Sequence, residues 1–256
     1  MTLRTCLLAA LLAVLLPSAL NAQAGQQLYN MNFDTWSKSG KCWNLYEKDA
    51  PASHRIWDSP NPGTSKMGMN IATPEYEHVA VAGKGKAAAR IESRKLAWTF
   101  LAGNIFNGRF IRVVDMAGAE SQLGAPFTGR PKSLSGYYHY IPKKINATKP
   151  PHDDKEGKLD EGLIEVLLTD WTKPYTQVSH KDGFIDVKTN PHIIGYATLV
   201  IKKGTPGYVK FDVPFTYRSD KTPRYAVFTV TGSRWGGEGT GASGTVIYVD
   251  EFKFNY

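Results

Sequence analysis

An all-β jelly-roll sandwich of two antiparallel sheets, galactose-binding or lectin-like in architecture, is the fold this sequence predicts. Three observations lead to it. Short β-rich runs recur along most of the 256 residues. Each run is bounded by Gly, Pro, Asn or Asp, the pattern of strands and turns. No segment holds an i, i+3, i+4 apolar pattern for more than about two turns. Many short strands without helices pack as a sandwich or barrel, and two sheets that each bury one face are the jelly-roll solution.

Residues 1–24, "MTLRTCLLAALLAVLLPSALNAQA", carry an early cation at Arg4, an apolar stretch from Cys6 to Leu16 and the small-residue signal Ala22-Gln23-Ala24. That pattern is a secretory leader, too short for a membrane anchor. It predicts export to the periplasm, the outer surface or the medium, with residues 25–256 as one domain. No later stretch approaches the roughly 20 apolar residues of a spanning helix. Strands are then predicted at 28–33 (LYNMNF), 88–93 (AARIES), 109–116 (RFIRVVDM), 135–141 (SGYYHYI), 163–170 (LIEVLLTD) and 193–202 (IIGYATLVIK). Three more, at 208–217, 224–232 and 245–256, close the chain. Alternation in the last puts Val246, Tyr248, Asp250, Phe252 and Phe254 on one face and Ile247, Val249, Glu251 and Lys253 on the other. Tyr138 and Tyr140 likewise share a face, opposite Tyr137 and His139. In GNIFNGRF (103–110) and GAPFTGRP (124–131) the Asn and Gly residues suggest tight turns. Arg130-Pro131 stands just before a strand, where Pro costs no ladder hydrogen bond. Segments 44–86 and 142–162 are predicted long polar loops, of the kind that bind ligands or move.

Composition excludes more than it selects. The formal charge is +8, or +7 once Arg4 leaves with the leader. The lysines are scattered (Lys84, Lys86, Lys143, Lys144, Lys202, Lys203), which describes a solvated basic surface, not a nucleic-acid footprint. Beyond the leader Cys42 stands alone, so no internal disulfide forms, and a small core hydrophobe is its expected role. His54, His78, His139, His152, His180 and His192 follow no zinc spacing, and neither G-x-S-x-G nor a phosphate-binding glycine loop is present. A glycosidase needs two carboxylates across a cleft. On one strand these stand at i and i+2 or i+4, because such residues share a face. No such catalytic pair is legible. Glu165 and Asp170 are the nearest candidates, but five residues apart they face opposite ways, so loops would have to supply the acids. Glu161 and Asp250 are the alternatives.

Sugar rings stack on aromatic faces while placed polar groups read their hydroxyls. Candidate ligand contacts are Trp57 in the 44–86 loop, Trp235 in the Gly-rich loop 232–244, its neighbour Arg234, and Arg130, Tyr138 and Tyr140. Sandwiches often set their first and last strands side by side. Asp34 in NFDTW and Asp250 in YVDEF would then be placed for a structural Ca²⁺, which takes about six to eight oxygens. No other cofactor is expected.

In NFDTW, AGNIFNGRF, GAPFTGRPKSLSGYYHYIP, FDVPFTYRSDKTPRYAVFTVTGS and GASGTVIYVDEFKFNY the chain resembles the putative carbohydrate-metabolism domain (PCMD) family, in order and through almost the whole length beyond the leader. The resemblance implies a jelly roll found in exported proteins of glycan-degrading Gram-negative bacteria, with a role in glycan binding or breakdown. This chain departs in lacking a lipid-attachment cysteine and an extra N-terminal domain, and in the loop SRWGGEGTGASGT with Trp235. The expected function is an exported, non-catalytic carbohydrate-binding protein with a glycan as partner. A glycoside hydrolase with loop-borne carboxylates and a structural or adhesin-like protein are the alternatives.

Overall fold

The structure, a computed structural model, describes residues 25–82, 84–114, 118–179, 181–182 and 185–256. The predicted leader, the end of the predicted 109–116 strand and His180 lie outside the described residues. Among the described residues eighteen strands follow in chain order. A hairpin, β1 (Ser37–Ser39) and β2 (Cys42–Asn44), precedes β3 (Trp57–Asp58), β4 (Ala72–Glu75) and β5 (Ala88–Glu92). A second hairpin, β6 (Arg94–Leu96) and β7 (Thr99–Leu101), leads into β8 (Asn104–Val114), β9 (Gly118–Leu123), β10 (Ala125–Pro126) and β11 (Ser133–Ile141). Then come β12 (Gly162–Thr169), β13 (Tyr175–Val178), β14 (Ile193–Ile201), β15 (Val209–Pro214), β16 (Thr216–Tyr217), β17 (Tyr225–Thr231) and β18 (Val246–Asn255).

Two sheets make the sandwich. The larger has nine strands in the order β13-β9-β8-β17-β12-β14-β16, with β10 on β17 and β3 on β8; the smaller runs β15-β11-β18-β5-β4. All of these strand pairs are antiparallel. Alternation decides which side chains meet between them. Ile164, Val166 and Leu168 of β12 and Ala226, Phe228 and Val230 of β17 face Leu134, Tyr140, Ile247, Val249, Phe252 and Phe254 of the small sheet. Trp57 lies at the heart of this core, edge-on to Phe33 at 5.3 Å and tilted against Phe228 at 5.2 Å.

The structure corrects several expectations. Residues 28–33 form turns, not a strand: Asn30 and Phe33 have φ of 53° and 54°, and the Asn30 amide bonds Thr35 O and Leu45 O. GNIFNGRF is strand from Asn104 onward. Gly108 is there for close approach, since a Cβ on it would stand 1.9 Å from Gln122 O at φ +136°. The predicted 44–86 loop contains β3, β4 and two short helical turns, an α turn at Asn61–Thr64 and a 3-10 turn at Ser65–Met67. The simple alternation in β18 fails at Glu251, whose φ is 52°. Gly136 of β11 faces the extra residue there, so Ile247 and Val249 point inward before the bulge and Phe252 and Phe254 after it.

Candidate functional site

The outward face of the large sheet divides in two. At one end Phe106, Leu123, Leu167, Trp171, Ile193 and Val227 form a second apolar cluster, packed against Phe110, Tyr175, Ile185, Val187, Tyr196 and Tyr225. That half is filled. At the other end the same face carries polar side chains. Glu165 stands between Thr198 of β14 and Thr229 of β17, and Thr229 stands beside Phe106 of β8. One step further along the strands is the row Val200, Leu163, Thr231 and Asn104.

Glu165 is the unusual group of this face. It is half-buried, and Thr198 Oγ1 donates to its Oε2 at 2.9 Å. Burial pushes its carboxyl above the ordinary carboxylate range, while the Thr198 hydroxyl and the charge of Arg234 pull it down. Arg234 Nη1 meets Glu161 Oε2 at 3.0 Å. Glu161 and Glu165 are four residues apart along one strand line, about 13 Å between Cα atoms at about 3.3 Å per residue, with the parity that shares a face. Arg234 therefore acts on both carboxylates.

The Gly-rich loop 232–244 is held by a buried network. Asp160, fully buried, accepts from Ser233 Oγ at 2.7 Å and from Ala242 N at 2.8 Å. Ser233 Oγ also meets Ser93 Oγ at 2.8 Å, which ties the loop to the end of β5. Trp235 is half-buried on this loop, with Lys155 Nζ at 5.4 Å and the Arg234 guanidinium at 5.6 Å from its ring. The β6–β7 hairpin leans on the same loop, because Phe100 fills the space over Gly241 and Ala102 that over Gly236. At its tip Trp98 is 77 % exposed. The sequence reading missed Trp98. The alternation Leu96, Trp98, Phe100 was its only signal, since the turn holds Ala97 at φ 51° where Gly or Asn would mark a hairpin.

Most other expected contacts are placed elsewhere. Trp57 is not on a ligand loop; it is fully buried in β3 and donates from Nε1 to Tyr29 O at 2.8 Å. Tyr140 is fully buried, its hydroxyl donating to Gly232 O at 2.7 Å, and Tyr138 packs on the core beside Phe211. The face they share is the core face, which leaves Tyr137 and His139 outward. Arg130 spends its guanidinium on Lys221 O at 2.5 Å and Ser219 O at 3.0 Å, stacked 4.2 Å over Tyr217, so it ties turns together and has little left for a ligand. Asp170 lies past the end of β12, bonded to His192 and Lys221 at 2.7 Å each, on a cavity of about 380 Å³ away from Glu165. The two acids do not form a pair.

Asp34 and Asp250 do come to one neighbourhood, close enough for their charges to act on each other. Their oxygens serve the chain. Asp34 accepts from Lys86 N, from Ala87 N at 2.9 Å and from Asn32 Nδ2 at 2.6 Å; Asp250 Oδ2 accepts from Ala80 N at 2.8 Å. Asp250 Oδ1 is buried without a partner. Among the described residues no group of three or more His, Cys, Asp or Glu is placed to hold a metal ion. As arranged, these two side chains anchor the backbone at Ala80, Lys86 and Ala87.

Solved structures share the whole architecture. A putative glycoside hydrolase from Bacteroides vulgatus superposes with a TM-score of 0.66 at 18 % identity, covering 88 % of this chain and 96 % of that one. A putative glycoside hydrolase from Bacteroides thetaiotaomicron gives 0.65 at 20 % identity, covering 88 % and 70 %. At these identities the likeness is one of fold. No curated protein matches the chain. Among the described residues no helix is long and apolar enough to cross a membrane. One family's sequence profile spans the whole sandwich, from Asn32 in the opening turns to Asn255 at the end of β18, and by that match over residues 32–255 the chain belongs to the family described as "Putative carbohydrate metabolism domain".

Proposed function

We propose that the chain acts on a glycan at the open half of the large sheet's outer face, as a glycoside hydrolase with Glu165 as proton donor. The observation that carries this is Glu165 itself: a half-buried carboxyl on the sheet's outer face, held by Thr198 and raised above the usual range by burial. The acids then come from strand β12 and its approach, not from loops. Glu165 protonates the glycosidic oxygen as the bond to the anomeric carbon breaks. Glu161, held in place by its ion pair with Arg234, takes a proton from the water that attacks that carbon. Carboxylates four residues apart on one face, about 13 Å between Cα atoms, are nearer the wider spacing of an inverting enzyme than the close pair of a retaining one. The names given to the two Bacteroides proteins of the same fold support this reading over a purely non-catalytic one. Trp98 and Trp235, at the end of the sandwich where Arg234 lies, would stack the sugar rings.

The non-catalytic binding module is the second reading, favoured by the exposed Trp98 on its hairpin. One experiment separates the two. Reducing-sugar release from a polysaccharide panel is measured for the full chain, for Glu165→Gln and for Trp98→Ala. Turnover lost by at least a hundredfold in Glu165→Gln, with glycan binding kept, is expected. Binding without turnover in the unaltered chain would leave the module reading standing.

A further inference from the structure

The opposite face of the sandwich carries a second cavity, of about 530 Å³, far from Glu165 on the outer side of the small sheet. It exists because of the β18 bulge. Ser135 pairs with Lys253 and Tyr137 with Asp250, so Gly136 alone faces Glu251 and Phe252. A Cβ on Gly136 would fall 2.4 Å from the Phe252 ring, so the glycine lets that ring close the floor of the dent. Glu251 adopts φ 52°, a left-handed conformation that costs a non-glycine residue energy. Strain of this kind is kept where a side chain must be aimed, and Glu251 is aimed into the cavity.

The lining is that of a sugar site. Lys84, Lys210 and Lys253 bring three cations against the single carboxylate of Glu251, with the Tyr137 ring and the Asn32 amide beside them. Lys84 meets Glu251 Oε2 at 2.9 Å. Lys210 and Lys253 are exposed and have no ion-pair or hydrogen-bond partner for their ammonium groups among the described residues. The acids behind Glu251 do not neutralise them directly: Asp34 and Asp250 are engaged by backbone N–H groups. Aromatic rings continue along the same outer face, with His139 stacked on Tyr248 at 5.4 Å and Tyr208 at 5.9 Å from His139.

We propose that this cavity is a second glycan site, separate from the Glu165 face, which takes an acidic sugar. The uronate carboxylate sits between Lys210 and Lys253, the ring lies against Tyr137, and Asn32 and Glu251 read hydroxyls. Lys210 beside Tyr137 and Lys253 beside Ser135 flank β11 from its two sides, Asp212 on the far side of Ser135 makes no ion pair with either, and two such ammonium groups on a polar cavity select the acidic class over a neutral sugar. The proposal rests on the reading that the chain handles carbohydrate, but not on catalysis.

Isothermal titration of the full chain with trigalacturonate, and with neutral galactotriose as control, tests it. The variants are Lys210→Ala/Lys253→Ala and Trp98→Ala, the second chosen because it weakens binding at the Glu165 site; all three side chains are exposed, so both variants fold as the parent does. Trigalacturonate binding that falls at least tenfold in the double-lysine variant, is kept in Trp98→Ala and exceeds galactotriose binding is expected. Equal affinity for the two probes, binding indifferent to the lysines, or no trigalacturonate binding would each overturn the second site. Hydrolysis by the Glu165 face would survive all three, so failure here and failure of the hydrolase reading are told apart.

Discussion

Three tryptophans show how residue type alone leaves role undecided. Trp57 satisfies its indole N–H on Tyr29 O and is surrounded by Phe33 and Phe228, so it is a packing residue. Truncating a buried ring of that size leaves a cavity as well as losing transfer energy. Trp57→Ala should therefore cost about 3–5 kcal/mol of stability, read as a lower urea midpoint with unchanged slope. Trp98 makes the opposite prediction. At 77 % exposure its removal should shift stability by less than about 0.5 kcal/mol, yet weaken glycan binding several-fold, because stacking on a sugar face is the only use its position gives it. A Trp98→Ala chain that binds glycans as the parent does would remove the hairpin from the site. Trp235 stands between the two, half-buried beneath Lys155 and Arg234, and its truncation should cost both stability and binding.

At the scale of elements, glycine positions decide which strands can pair. Gly108→Ala would drive a Cβ into Gln122 O at a φ that side chains rarely adopt, so β8 and β9 would have to separate locally. The expected result is a loss of at least about 2 kcal/mol and faster hydrogen exchange confined to Arg109–Leu123; uniform exchange across the sandwich would contradict it. The same residues explain what could be read beforehand. Strands β5, β11, β12, β14, β17 and β18 were legible, because long β-branched or aromatic runs end at clear turn residues. The start of β8 was not, since Asn104, Asn107 and Gly108 look like a turn and are recruited into the strand by β17 and β9. Face assignments in β18 failed from Glu251 onward, because one extra residue inverts a period of two. For the site, Glu161, Glu165, Arg234 and Trp235 stood out as candidates. Their grouping did not, because it depends on register between β12, β14 and β17 and on the Asp160–Ser233 network.

For the whole molecule, three buried acids set the response to pH. Asp58, Asp160 and Asp250 each titrate at about 6, raised first of all by burial. In the unfolded chain they return to about 3.9. Between those values the folded state holds protons the unfolded state has released, so stability is fully present at the lower end and lost as pH rises through about 6. Taken in full, that difference is a penalty of about 3 kcal/mol per group at neutral pH, less where solvent reaches the carboxyl. Ion-paired Asp154 and Asp170 act the other way, but their depressed carboxyls lose stability only at lower pH. Thermal melting should therefore peak near pH 4, fall steeply to about pH 6 and level off by about pH 7. Asp250 offers the cleanest test. Asn at that position still accepts from Ala80 N, and it turns the unpartnered Oδ1 into a donor beside the charges of Asp34 and Glu251. Asp250→Asn should raise the melting temperature at pH 8 and change it far less at pH 4, so the variant's pH profile is flatter. Melts are run with a chelator, and repeated with added Ca²⁺. Parallel profiles for parent and variant would exclude Asp250 as a source of the slope. Ca²⁺ stabilising the parent but not the variant would show that the buried oxygen is a cation ligand after all.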